Sequence, residues 1–171
     1  MKIQIVYLSK TGNTAKLAHA LVKVFPSDCE LVDINLRQPS LDADIYLIGF
    51  GVQRGACPFV LLDWLEELEG KQILLFSTCG LAAFPEYRRK LESLIIPFLP
   101  DQCTYHGLYL CQGSISQNGF DYLKSCLNIP EDGRSIQNLE QLYQDSQSHP
   151  SQQDIEALID FVRQKLSNKT P

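Results

Sequence analysis

Within residues 3–22 the chain passes from an apolar run through a hydroxyl-rich turn into a helical pattern, and no other stretch constrains the fold so tightly. Ile3, Ile5, Val6 and Tyr7 suit a buried strand, and Ala15, Leu17, Ala18, Leu21 and Val22 recur at helical spacing. The polar loop Ser9-Lys10-Thr11-Gly12-Asn13-Thr14 therefore joins a strand to a helix N-terminus. Such a junction attracts anions, because the first helical turn has unpaired N–H groups and the positive end of the dipole. Ser9, Thr11 and Thr14 add hydroxyl donors, and Gly12 lets the backbone approach closely. A nucleoside-triphosphate loop would end in Gly-Lys-Ser/Thr, but Gly12 is followed by Asn13. A dinucleotide fingerprint would need three glycines in this turn, and Gly12 stands alone. What remains is a cradle for one phosphate, as in the monoester of a mononucleotide. The competing reading is a turn that only caps its helix through Asn13 or Thr14.

The rest of the chain repeats the alternation of strand and helix. Glu30–Ile34 reads as a second strand, residues 35–40 as a polar connection, and Ala43–Gly49 as a third strand. Pro58 opens a helix whose apolar face, Phe59, Leu61, Leu62, Trp64, Leu65 and Leu68, runs to Gly70. Ile73–Phe76 is a fourth strand, Glu86–Ile96 a helix opened by Pro85, and Tyr105–Cys111 a fifth strand. Short apolar strands alternating with helices imply a parallel sheet covered on both faces. Residues 113–150 read as an irregular excursion, with turn chemistry at Pro130-Glu131-Asp132-Gly133 and short helical pieces at Phe120–Leu127 and Leu139–Tyr143. Ser151 is the expected N-cap of a closing amphipathic helix carrying Ile155, Leu158, Ile159, Val162 and Leu166. A length of 171 residues and 44% hydrophobic content suit one domain spanning 1–171.

Ser9-Lys10-Thr11-Gly12-Asn13-Thr14, with Tyr7 before it and Ala18 and Leu21 after it, resembles the phosphate loop of the flavodoxin family. The resemblance extends weakly over most of the chain through the order of its elements. It implies a doubly wound, five-stranded α/β/α fold with strand order 2-1-3-4-5, and FMN as a non-covalent cofactor. In that family the hydroxyl-rich loop takes the phosphate, and the loops after the third and fourth strands enclose the flavin ring. The general rule that open α/β sheets bind ligands at the carboxyl ends of their strands selects the same loops. The second contains Phe50, Gly51, Val52, Gln53, Arg54 and Gly55, where the Arg54 guanidinium suits a planar, partly anionic ring. The third contains Ser77, Thr78, Cys79 and Gly80, whose backbone groups suit the pyrimidine edge of a flavin. Many family members stack Trp and Tyr on the ring; here Trp64 falls inside a helix, and Phe50, Phe84 or Arg54 are the candidates to cover it.

Several other chemistries fail on residue type. Gly49, Gly51 and Gly55 imitate a dinucleotide motif, but with the wrong spacing and on the third strand. A phosphate-accepting receiver domain would need carboxylates where Ser9, Gly49 and Phe50 stand, and no Cys-x₅-Arg occurs at Cys57 or Cys79. Both cysteines read as small buried hydrophobes rather than nucleophiles. The six cysteines lack Cys-x-x-Cys spacing and the three histidines are far apart, which gives reduced thiols, no metal and a cytoplasmic setting. No apolar run approaches the roughly 18 residues of a membrane span. A net charge of −5 argues against nucleic acid and suits docking on a basic redox partner. The functional expectation is an electron-transfer flavoprotein working with a reductase or acceptor protein. The alternatives are an FMN-dependent NAD(P)H:quinone-type reductase and a flavin-binding accessory subunit of a larger reductase.

Overall fold

Ile3–Leu8 (β1) is buried along its whole length, as a strand must be when it has neighbours on both edges and helices on both faces. This is the centre of a computed structural model that describes residues 2–25, 29–80, 85–126 and 133–167. After β1 come α1 (Asn13–Val22), β2 (Cys29–Asp33), β3 (Ile45–Gly51), α2 (Phe59–Leu65), β4 (Gln72–Cys79), α3 (Pro85–Ile95), β5 (Thr104–Gln112), α4 (Gln117–Cys126), α5 (Gly133–Ser146) and α6 (Gln152–Ser167). The strands form one parallel sheet in the order β2-β1-β3-β4-β5.

Right-handed crossovers in opposite directions from the β1/β3 boundary put helices on opposite faces. Leu17, Ala18 and Leu21 of α1 and Leu158 and Val162 of α6 pack with Ile3, Ile5, Leu47 and Phe76 on one face. Leu61, Trp64 and Leu65 of α2 and Leu91 and Ile95 of α3 pack with Val6, Tyr46, Ile48 and Phe50 on the other. The β2–β3 crossover is a loop, pinned by Tyr46, whose hydroxyl donates to Ser40 O (2.9 Å) and accepts from Ala43 N–H (3.1 Å). Among the described residues no helix is long and apolar enough to cross a membrane.

The structure corrects three sequence expectations. β3 continues through Phe50 to Gly51, and β4 through Ser77 and Thr78 to Cys79, because Phe50, Ser77 and Thr78 are paired on both sides and Gly51 and Cys79 on one. Five residues read as loop, Phe50, Gly51, Ser77, Thr78 and Cys79, are therefore strand. The excursion at 113–150 is mostly helical: α4 and α5 bury Phe120 and Leu139 with Ile115 in a small core of their own. The Phe120 and Tyr143 rings stack across that pair with centroids 4.4 Å apart. The helical pieces expected at Phe120–Leu127 and Leu139–Tyr143 overlap these helices, which start earlier, and α5 also ends later, than the narrow apolar stripes that each buries against the other. Phe84 and Pro130-Glu131-Asp132 lie outside the described residues.

Ser151 caps α6 as expected. Its hydroxyl accepts from Asp154 N–H (3.2 Å), while the Asp154 carboxylate accepts from Ser151 N–H (2.6 Å) and Oγ–H (2.7 Å), forming a reciprocal capping box. His149 Nδ1 lies 2.6 Å from the same carboxylate oxygen. Burial alone would push the Asp154 carboxyl up, but the Ser151 and His149 hydrogen bonds outweigh it and hold it below the ordinary range. A depressed carboxylate stabilises the fold above its unfolded pKa of about 3.9, and that contribution is lost as pH falls through the folded value. Asp154→Asn should therefore lose about 1–2 kcal/mol at pH 7 in urea unfolding, and the difference from the wild type should shrink as pH falls and the carboxyl protonates.

Gly49 faces Phe76 across the β3–β4 pair, and a Cβ there would stand 2.2 Å from Phe76 Cζ. The ring is fully buried and has no free direction to move. Gly49→Ala should cost about 1–3 kcal/mol by overcrowding. In a double-mutant cycle Phe76→Leu should recover part of that cost, a coupling readable in denaturant melts.

Candidate functional site

At the carboxyl end of the sheet, where the winding reverses, Gly12 takes φ = 86° and serves as the N-cap of α1 without any side-chain cap. The left-handed conformation is the glycine's contribution, since it turns the chain directly into the helix. Asn13 and Thr14 are thus not caps. The Asn13 amide donates to Ser114 O (2.9 Å) and to Thr11 Oγ1 (3.2 Å), and its oxygen accepts from Ser114 Oγ–H (2.8 Å). With both hydrogens and its oxygen engaged, the Asn13 side chain is a clamp between the first loop and the segment after β5. Thr11, accepting from Asn13, keeps its own hydroxyl hydrogen for an outward acceptor.

Two hollows adjoin here. The smaller, about 160 Å³, is lined by Leu8, Ser9, Lys10, Thr11, Thr14, Gly51, Val52 and Gln53. The larger, about 280 Å³, shares Thr11, Gly51 and Val52 and extends past Arg54, Gly55, Thr78, Cys79 and Gly80 to Tyr87, Ser114, Ile115, Ser116, Gly119, Tyr122 and Leu123. Its volume is at the lower end of ligand pockets, which run to about 300–1,000 Å³. Lys10 Nζ donates to Gln53 Oε1 (3.0 Å) and so links the first loop to the second across the smaller hollow. Ser9 Oγ is buried without a hydrogen-bond partner. A buried hydroxyl left unpaired costs free energy, and one lining a hollow at a helix N-terminus is placed to be satisfied by an oxygen of a bound ligand. The cradle therefore fits a phosphate monoester.

The second loop is a tight hairpin. Gln53 and Ala56 exchange two backbone hydrogen bonds of 3.0 Å, with Arg54 (φ = 51°) and Gly55 (φ = 82°) both left-handed at the turn. This paired geometry defines a two-residue turn that follows the sheet's twist, and it holds the exposed Arg54 at the rim of the larger hollow.

Two of the expected site residues, Phe50 and Ser77, line neither hollow. Phe50 is fully buried against the α2/α3 face, so it packs the core instead of covering a ring. Ser77, also fully buried, donates to Phe50 O (2.8 Å). The Thr78 carbonyl accepts from Val52 N–H and the Cys79 carbonyl from Gly113 N–H, both at 2.8 Å, tying that backbone into the sheet and its neighbours. Of this segment, Thr78, Cys79 and Gly80 line the larger hollow. Burial pushes the Cys57 thiol up to about 12, in keeping with a packing role. Among the described residues no group of His, Cys, Asp or Glu could hold a metal ion.

The residues that sequence reasoning missed are Tyr87 on α3, Tyr122 and Leu123 on α4, and Ser114, Ile115 and Ser116 after β5. Applying the carboxyl-end rule to β5 as well as to the earlier strands would have found the last group. Ile115 N–H donates to the buried Ser146 Oγ (3.1 Å), Ile115 O accepts from Gln147 Nε2 (3.0 Å), and Ser114 N–H donates to His149 O (2.9 Å). The end of α5 and the residues after it thus hold this wall in place.

A five-stranded doubly wound parallel sheet in the order 2-1-3-4-5, with hollows at the carboxyl ends of its strands, is the flavodoxin-like architecture. The family described as the flavodoxin domain matches residues 4–163, and the chain belongs to it. It is 30% identical over 170 residues to the flavodoxin-like domain-containing protein BilS of Clostridioides difficile (strain CD3), covering 97% of each chain. Among solved structures it is similar to a flavodoxin from the domain Archaea, at 17% identity and TM-score 0.52, covering 83% of this chain and 99% of that one. It is also similar to a flavoprotein in complex with FMN from Lactobacillus acidophilus NCFM, at 19% identity and TM-score 0.50, covering 64% of this chain and 93% of that one.

A hydrogen bond to a charged group contributes about 1.5–3 kcal/mol, so Thr11→Ala should weaken FMN binding roughly ten- to a hundred-fold. Riboflavin, which lacks the phosphate, should lose far less in parallel fluorescence titrations. Equal losses would assign Thr11 to the ring or to folding.

Proposed function

We propose that the chain is an electron-transfer flavoprotein that binds FMN non-covalently and exchanges electrons with a redox partner protein in the cytoplasm. The observation that carries this is the unpartnered Ser9 hydroxyl in a hollow for one phosphate, opening directly onto a second hollow with aromatic and aliphatic walls. Family membership and the FMN held by the Lactobacillus acidophilus flavoprotein support the choice of cofactor. Ser9, Thr11, Thr14 and the first N–H groups of α1 would hold the phosphate, with Lys10 supplying positive charge at the rim. Arg54, Tyr87, Tyr122 and Leu123 would bound the ring. Bound FMN supplies one- and two-electron transfer at its ring. The described walls offer hydroxyl, amide, phenol, thiol, guanidinium and hydrocarbon groups, which bind and orient a ring. Tyr122, 52% exposed, stands where the larger hollow meets the surface, the side from which a partner would approach.

The protein purified from cells should be yellow, and mass spectrometry of its heat-released ligand should identify FMN at about one per chain. FAD, or a colourless protein that FMN titration leaves unchanged, would overturn the assignment. Loaded with FMN, the protein alone should not oxidise NAD(P)H in steady state but should accept electrons once a flavodoxin reductase is added. Turnover without a partner would make it an FMN-dependent reductase instead.

A further inference from the structure

Beside the residues that the two hollows share, a pair of hydroxyls joins one hollow to the other. Thr14 Oγ1, lining the smaller hollow, lies 2.9 Å from Thr78 Oγ1, lining the larger one. Both residues are buried, at 1% and 4% exposure. Gly51 lies against both, since a Cβ there would meet Thr14 Oγ1 at 3.7 Å and Thr78 Oγ1 at 3.8 Å. Either threonine is able to donate in this bond, so its direction is set by what each hydroxyl meets on its far side.

Each hydroxyl has one hydrogen and can also accept. The oxygens of a phosphate dianion only accept, so an anion in the smaller hollow takes the Thr14 hydrogen. Thr14 then accepts from Thr78, which spends the only Thr78 hydrogen. Toward the larger hollow Thr78 is left as an acceptor, matched to a ligand O–H or N–H. With the smaller hollow free of anion the pair can point the other way, and Thr78 then offers its hydrogen to the larger hollow instead.

We propose that the Thr14–Thr78 pair couples the two hollows, so that phosphate in one selects a hydrogen-bond donor at Thr78 in the other. This rests on the flavin assignment above, with phosphate in the smaller hollow and the rest of the ligand in the larger. Thr78 is by this proposal a positioning residue for phosphorylated flavin. Linkage requires that the effect be reciprocal: the donor ligand also raises the affinity for phosphate by the same factor.

The test uses FMN in two pieces, with riboflavin as the ring probe and inorganic phosphate as the anion probe. Riboflavin binding is followed by fluorescence quenching with saturating phosphate and with chloride at matched ionic strength. In the wild type, phosphate should raise riboflavin affinity about five-fold or more, the lower end of typical couplings. Thr78→Ser should keep that factor. Thr78→Val, alike in shape but without the hydroxyl, should bring it to about one. Thr78→Ala serves as a second hydroxyl-free variant if Thr78→Val fails to fold by circular dichroism. A wild-type factor retained in Thr78→Val or Thr78→Ala would overturn the proposal, because the coupling would then pass through ordering of the loop. So would a wild type that binds riboflavin equally with and without phosphate. If the folded wild type bound neither riboflavin nor FMN, the flavin assignment itself would fall, an outcome distinct from binding that is intact but uncoupled.

Discussion

Everything at this site depends on the reversal of winding between β1 and β3. From that boundary one crossover leads outward to β2 and the other to β4, and their common right-handedness sends α1 and α2 to opposite faces. The loops leaving β1 and β3 must therefore part, and the gap between them is a crevice at the carboxyl edge of the sheet. Gly51 ends β3 at the floor of this gap, beside Thr14 and Thr78. A helix N-terminus opens on one side of it and a hairpin on the other. Neither hollow would exist if the sheet were wound in one direction only.

The far wall comes from a part of the chain remote from the cradle in sequence. The Asn13 amide, which looks like a ligand-binding group, is saturated by Ser114 and Thr11. A fully satisfied polar network of this kind is rigid and specific. Gly113 is needed beside it, because a Cβ there would come within 2.7 Å of Asn13 Nδ2. Ser114 and Ile115 are in turn held by His149, Ser146 and Gln147. Lys16 of α1 donates to Pro150 O and closes the circuit back to the first helix. The end of α5 thus acts on the site indirectly, by fixing the loop that fixes the cradle, while α4 lines the larger hollow itself.

The chemistry of the walls follows from the same packing. The Cys57 and Cys111 thiols are buried, and burial raises both out of the reactive range. Tyr87, whose hydroxyl burial also pushes up, remains a neutral phenol that can lie against an aromatic ligand. On the proposed reading these walls would hold a planar phosphorylated molecule and leave one side open to the surface. Redox chemistry would then belong to the ligand, and the protein's part would be to place it.

The strand-loop-helix of residues 3–22 was legible because it is local. Burial on both faces writes a continuous apolar run into β1, helical periodicity writes α1, and the turn between them needs the left-handed Gly12 whatever surrounds it. The order of strands and helices, the cap at Ser151 and the core position of Trp64 were readable on the same local grounds. Only tertiary structure decided which groups at the loops face the crevice. Phe50 and Ser77 stand within a residue or two of lining positions but point into the core, because pairing on both sides extends β3 and β4 past the apolar runs that announce them. The partner that removes the Asn13 side chain from ligand binding lies 101 residues away. Tyr122 reaches the crevice only because α4 returns over the end of β5. Sequence periodicity reports how a segment sits on its own axis; the neighbours that pair with it, and so the direction each polar group faces, are set when distant segments meet.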